Sequence, residues 1–225
     1  MKIVKQGYEI LYPHDSIFDN LPTGLLNWED ECRLIEQAGR TAYKSEGIIT
    51  NDSYKRFVEM IIKRGHEAVL EFGNMVVHFV TDRGISHELV RHRLCSCVQE
   101  STRYCNYSKD KFGNELSFIR PSFPCQDPDE LNSSFRAWKA QMEESEQQYL
   151  LCIKEGWQPQ QARSILPNCT KTEVVVKANF REWRHIFKLR AISKAAHPDM
   201  RKLMIPLYEQ CRKECPVVFD MGEVE

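Results

Sequence analysis

Apolar positions recur along the chain with two different periods, and each period predicts its own set of elements. From Met1 to Tyr12 polar and apolar residues alternate, which predicts an opening strand. Asn27 precedes a run with helical spacing from Trp28 to about Tyr43, and Glu29, Asp30 and Glu31 suit the positive end of that helix. Tyr54, Phe57, Val58, Ile61 and Ile62 form the stripe of a second helix, started by Asp52 or Ser53 and stopped by Gly65. Met75, Val76, Val77, Phe79 and Val80 predict a strand over Asn74 to Thr81. Ser86 is expected to cap a short helix that runs through Glu88, Leu89 and Val90 into Arg91. Leu116 to Arg120 reads as a short strand ended by Pro121.

Farther on, Asp127-Pro128 is expected to open a long helix carrying Phe135, Trp138, Met142, Tyr149 and Leu150, with a stop near Gly156. Pro159 opens a short helix that Pro167 ends, and Val174-Val175-Val176 centre a strand from Thr172 to Ala178. Two helices follow, about Arg181 to Ile192 and Asp199 to Lys213, and Pro216 ends the regular pattern. Strands and helices alternate irregularly, which predicts an α+β fold rather than a doubly wound sheet. A chain of 225 residues is long enough for one mixed domain, 1–225, with its own core.

Composition changes this picture little: 42% hydrophobic and 28% charged residues describe an ordinary globular protein. The formal net charge of -1 excludes a global positive field able to hold DNA or an anionic membrane, so any anion site must be built locally. No stretch approaches the ~20 apolar residues of a membrane span. The alternating start lacks the apolar core of a signal peptide, so a cytoplasmic location is expected. The nine cysteines then read as reduced thiols. Cys95/Cys97 and Cys211/Cys215 have poor spacing for a structural zinc site, and no metal is expected.

The chemistry concentrates in one place. Arg91, Arg93 and Arg103 lie within thirteen residues, with His87 and His92 among them. Glu88 and Arg91, three apart, can share a helix face. The polar run Gln99-Glu100-Ser101-Thr102-Arg103 follows. Such a cluster on its own reads as a solvated charged face. Interleaved Cys95, Cys97 and Val98 point instead to a half-buried segment whose arginines meet a bound anion, since a guanidinium fork matches phosphate. Downstream, Trp183, Ile186, Phe187 and Arg190 fall at i, i+3, i+4 and i+7, so Arg190 extends an apolar helical stripe. Arg181 and His185 sit four apart on an adjacent face, a natural pair for a second polyanion.

These residues resemble the flavin-dependent thymidylate synthases, which carry Arg-His-Arg and then, after a spacer, Glu-x-Ser-x-Arg-Tyr. The match falls at Arg91, His92, Arg93, Ser96, Ser101, Arg103 and Tyr104. Val98 stands where many members have Asn and Gln99 where many have Glu, with a carboxylate moved to Glu100. Arg64-Gly65-His66-Glu67 is similar to the family's Gly-His segment. Glu71 corresponds to its downstream Glu, although Ala68-Val69-Leu70-Glu71-Phe72 replaces the usual Ser/Thr-Pro-Phe-Glu-His. Ala162-Arg163-x-x-Leu166-Pro167 and Asn179-x-Arg181 with His185 and Leu189-Arg190 resemble two further segments, so the likeness spans about Gly39 to Arg201.

The resemblance implies reductive methylation of dUMP to dTMP, with methylenetetrahydrofolate giving the carbon, FAD carrying the hydride and NADPH as reductant. It implies a mainly antiparallel central sheet flanked by helices, and a homotetramer with shared active sites. For dUMP it assigns Glu88, Arg91, Gln99, Glu100, Ser101, Thr102, Arg103, Arg163 and Arg190, the last also catalytic. For the flavin it assigns His66, Ala68, Glu71, Arg91, His92, Arg93, Gln99, Asn179, Arg181 and His185. Cysteine-dependent thymidylate synthases attack uracil with a thiolate; this family does not require one. No Gly-x-Ser-x-Gly elbow supports Ser101 as a hydrolase nucleophile. The rival reading is a nucleotide- or single-strand-binding protein of the same fold without catalysis, although the near-neutral charge argues against binding nucleic acid.

Overall fold

The computed structural model describes residues 1–13, 27–122 and 133–224. The expected helix start at Asp127-Pro128 lies outside the described residues. In chain order come strands β1 (Lys2–Val4) and β2 (Gly7–Tyr12), helices α1 (Trp28–Thr41) and α2 (Ser53–Lys63), strand β3 (Asn74–Asp82) and helix α3 (Arg83–Leu89). Strands β4 (Ser96–Gln99) and β5 (Ser117–Ile119) precede helices α4 (Ser133–Lys154) and α5 (Pro159–Ala162). Strand β6 (Lys171–Asn179) leads into helices α6 (Phe180–Phe187), α7 (Pro198–Glu214) and α8 (Pro216–Phe219). The fold is mixed α+β, with an antiparallel sheet in the order β2-β3-β6-β4 flanked by helices. Burial alternates along β3 and β6, inward at Met75, Val77, Phe79 and Thr81 and at Thr172, Val174, Val176 and Ala178, as a period of two requires. No described helix is long and apolar enough to cross a membrane.

The chain forms two compact units. The first comprises Met1–Gly7, Phe79–Arg91 and Val98–Val174. Here β1 pairs in parallel with β5, Ile3 opposite Phe118, so the expected single opening strand is broken into two with different partners. Tyr107, Leu116, Phe118, Met142, Tyr149 and Ala162 make its core. The Met1 ammonium sits 2.8 Å from Glu146, which raises its pKa. Asp82, not Ser86, caps α3: its carboxylate accepts from the Ile85 N–H at 2.7 Å. Asp82 ends a strand in extended conformation, where an N-cap belongs, whereas Ser86 lies buried inside the helix.

The second unit comprises Tyr8–His78, His92–Cys97 and Val175–Glu225. Asn27 caps α1 as expected and forms a reciprocal capping box with Asp30, at 3.0 and 3.3 Å. The α1 face carrying Cys32, Ile35 and Gly39 is buried, and a Cβ on Gly39 would stand 2.5 Å from the Phe57 ring. Buried Glu31 accepts from Tyr12 Oη and from the Asn74 N–H, so neither carboxylate oxygen is orphaned. Phe180 stacks on Trp28 and meets Phe219 edge-on at 5.2 Å, while Trp183, Phe187 and Tyr208 continue the aromatic core. Pro216 opens α8 as its first residue rather than ending regular structure, as its fixed φ allows.

Candidate active site

In the first unit the motif residues divide by what they already bind. Gln99 donates through Nε2 to Ser86 Oγ at 2.8 Å and to Thr172 Oγ1 at 3.2 Å. Glu100 accepts from Tyr107 Oη at 2.8 Å and from Lys171 Nζ at 3.1 Å, and it lines an open pocket of about 620 Å³. Lys171 also pairs with Glu173. Thr102 is buried, and the Ser101 carbonyl accepts from the Tyr104 and Cys105 N–H groups, so this turn is locally hydrogen-bonded. Arg91, Arg103 and Arg163 are exposed; Glu88 is half-buried. The Arg103 guanidinium lies over the Tyr104 ring at 5.3 Å.

The second unit gathers two clusters around α6. Asn179 is the N-cap of α6, its Oδ1 accepting from the Glu182 N–H at 2.9 Å. Exposed Arg181 pairs with Glu71 at 2.7 Å, and Arg184 reaches Glu67 at 3.4 Å, tying α6 to the 3-10 segment Glu67–Phe72. His66 precedes that segment. The end of α2 places it there: Gly65 at φ 72°, with its N–H bonded to Ile62 O and the His66 N–H to Ile61 O, is a Schellman cap. Ala68 is exposed beside it.

The second cluster is His92, Glu182, His185 and Arg190. Arg190 Nε donates to His92 Nε2 at 3.3 Å, and His92 Nδ1 lies 3.5 Å from Glu182 Oε1. The His185 ring meets His92 edge-on at 6.2 Å. Burial, then the neighbouring Arg190 and His185, hold His92 down at about 4, so it is neutral at pH 7. Burial raises the Glu182 carboxyl. His92, Glu182 and His185 could also offer ligand atoms to a metal, all within 4.8 Å, although the Arg190 donor already occupies His92 Nε2. Arg93 is exposed. The Cys95 thiol is pushed up to about 12 by burial and Cys97 upward as well, so neither is a thiolate nucleophile at neutral pH.

Arg190 does not continue an α-helical stripe. After Phe187 the helix widens into a π turn over Lys188–Ile192, with the Ser193 N–H bonded to Lys188 O, and Arg190 is half-buried. Single π turns recur at functional sites.

A model of the family described as thymidylate synthase complementing protein matches residues 25–217. The chain belongs to that family. Membership makes it an enzyme, a methyltransferase. A flavin-dependent thymidylate synthase of Corynebacterium aurimucosum is 32% identical over 204 residues, 83% of this chain and 78% of that protein. One from Corynebacterium efficiens is 30% identical across 91% of this chain and 86% of its own length. One from Pyrococcus furiosus is 28% identical across 85% and 75%. A crystal structure of the UMP/dUMP methylase PolB from Streptomyces cacaoi, bound with 5-Br dUMP, superposes with a TM-score of 0.73 at 16% identity, covering 98% of this chain and 96% of that one, and so shares the fold.

Two site residues escaped the sequence reading. Glu182 stands three after the N-cap Asn179, the spacing of a capping box, which hides any other role. Arg184 carries no pattern at all, because its partner Glu67 lies far away in sequence.

Proposed function

We propose that this enzyme methylates dUMP reductively to dTMP, taking the carbon from methylenetetrahydrofolate and using FAD as hydride carrier and NADPH as reductant. The arrangement of Arg190 against neutral His92 carries the reading: a half-buried guanidinium in a π turn, hydrogen-bonded to an uncharged ring, suits the stabilising of negative charge. The α6 donor set fits a flavin bearing a pyrophosphate, since Arg181 and His185 are exposed and Asn179, Arg93 and His66 add polar groups. These residues would hold FAD together with His92, Ala68, Glu71, Arg91 and Gln99. When bound, FAD supplies the redox chemistry, and the protein supplies position and electrostatics.

Arg91, Arg103 and Arg163 grip the dUMP phosphate and sugar in this reading, with Glu88, Gln99, Glu100, Ser101 and Thr102 around them. Gln99, Glu100 and Thr102 are already hydrogen-bonded or buried, so their contribution is to hold the turn in shape rather than to reach far. Arg190 meets the pyrimidine and offsets its developing charge. We further propose a cytoplasmic homotetramer that shares its active sites, and a single functional domain over 1–225.

The test is direct: record the visible spectrum of the purified protein, then supply dUMP, methylenetetrahydrofolate and NADPH anaerobically and look for dTMP. A colourless protein that neither takes up FAD nor makes dTMP overturns the proposal. Binding of dUMP with no dTMP formed identifies a non-catalytic relative. Arg190→Ala is expected to retain FAD while kcat falls about 100-fold or more, the scale of a lost charge-stabilising donor. Unchanged turnover would remove Arg190 from the catalytic role.

A further inference from the structure

We infer that Glu182 is a positioning residue: acting through His92, it sets the direction of the Arg190 guanidinium. The inference rests on the role proposed for Arg190 and adds the device that aims it.

The geometry is a chain of three side chains within the second unit. Glu182 is 8% and His92 9% exposed, so both are shielded from water that would otherwise compete for their polar atoms. Arg190 Nε donates to His92 Nε2 at 3.3 Å. A ring nitrogen that accepts carries no proton, and a neutral imidazole has one N–H, which therefore sits on Nδ1. That atom faces Glu182 Oε1 at 3.5 Å. The carboxylate thus favours the one tautomer that leaves Nε2 open to Arg190. A carboxylate behind a histidine commonly fixes tautomer and ring orientation in this way.

The surroundings favour the same state. His92 is faced by Arg190 and His185, whose charges oppose its protonation, and by Glu182; Cys95 nearby keeps its proton. The His92–Glu182 contact is accordingly an N–H facing a carboxylate and not an ion pair. At 3.5 Å it is longer than a good hydrogen bond, and such contacts tighten when a site is filled. The alternative use of His92, Glu182 and His185, as ligands to a divalent metal, requires Arg190 to sit beside the cation, which charge repulsion opposes.

Four variants test the inference: Glu182→Ala, Glu182→Gln, Arg190→Ala and the double Glu182→Ala/Arg190→Ala. Nitrogen-15 shifts of histidine-labelled, ligand-free protein at pH 7 are expected to show His92 as the Nδ1–H tautomer, and Glu182→Ala to mix the two tautomers. Glu182→Ala is expected to lower kcat about tenfold, roughly 1.4 kcal/mol, with flavin content and the KM for dUMP little changed. Glu182→Gln keeps an accepting oxygen and should recover most of that loss. The double variant should be no slower than Arg190→Ala alone, because residues acting through one another are not additive. Turnover of Glu182→Ala within twofold of wild type, losses that multiply in the double variant, or an Nε2–H tautomer in the wild type would each overturn the inference. So would stoichiometric metal in the purified protein that Glu182→Ala abolishes. Wild-type protein that makes no dTMP would overturn the proposed function, and the tautomer measurement would still decide the inference.

Discussion

His92 stands between an acceptor and a donor, and folding takes it from the usual 6.5 down to about 4. The unfolded chain therefore binds a proton that the native chain refuses over that window. Where the unfolded state binds more protons, stability rises with pH. The His92 contribution is thus fully present above about 6.5 and is lost as pH falls toward 4, by about 3 kcal/mol at the bottom of the window. Thermal melts of wild type and His92→Gln from pH 7 to 4 check this: the wild type should lose Tm more steeply through the window. Parallel curves would show that His92 does not carry the effect. At this scale the spacing of Arg181 and His185, four apart, was legible in the sequence, but their partners were not: Arg181 pairs with Glu71, while His185 lies beside His92. The sequence was mute on Glu182, whose position beside a capping asparagine has a sufficient local explanation, and on the Arg184–Glu67 contact, which only the fold creates.

Elements that bury an apolar stripe were legible, and those defined by backbone bonding were not. The stripe of α2 and the alternation of β3 and β6 appear as expected, because burial writes a period into the side chains. Strand β4 alternates only weakly in burial, Ser96 and Val98 exposed and Cys97 and Gln99 half-buried, and its one aliphatic residue is on the exposed side, so the sequence carries no apolar alternation; pairing continues through the Glu100 N–H to Glu173 O. The 3-10 segment Glu67–Phe72 and the π turn at Lys188–Ile192 likewise leave no periodic trace. The cap at the end of α2 gives a clean test of an element's terminus. A Cβ on Gly65 would meet nothing within 4 Å, so Gly65→Ala is strained by its φ of 72° alone. It should cost about 1–2 kcal/mol, the penalty of a left-handed alanine. Urea unfolding is expected to show a lower midpoint at unchanged slope. No measurable loss would mean that the helix end relaxes to another cap.

For the molecule as a whole, the near-zero net charge and the local clusters agree: the cations are spent at particular places rather than as a field. Each compact unit is assembled from three separate stretches of chain, and β3 and β6 each contribute residues to both. Scanning calorimetry is therefore expected to give one cooperative transition, since neither unit owns a continuous backbone to unfold alone. Two resolved transitions would contradict this. The interleaving also constrains the gene. No single cut in the coding sequence frees either unit intact, because every cut leaves at least one unit divided between the two pieces. A single crossover between two related genes therefore leaves at least one unit stitched from both parents.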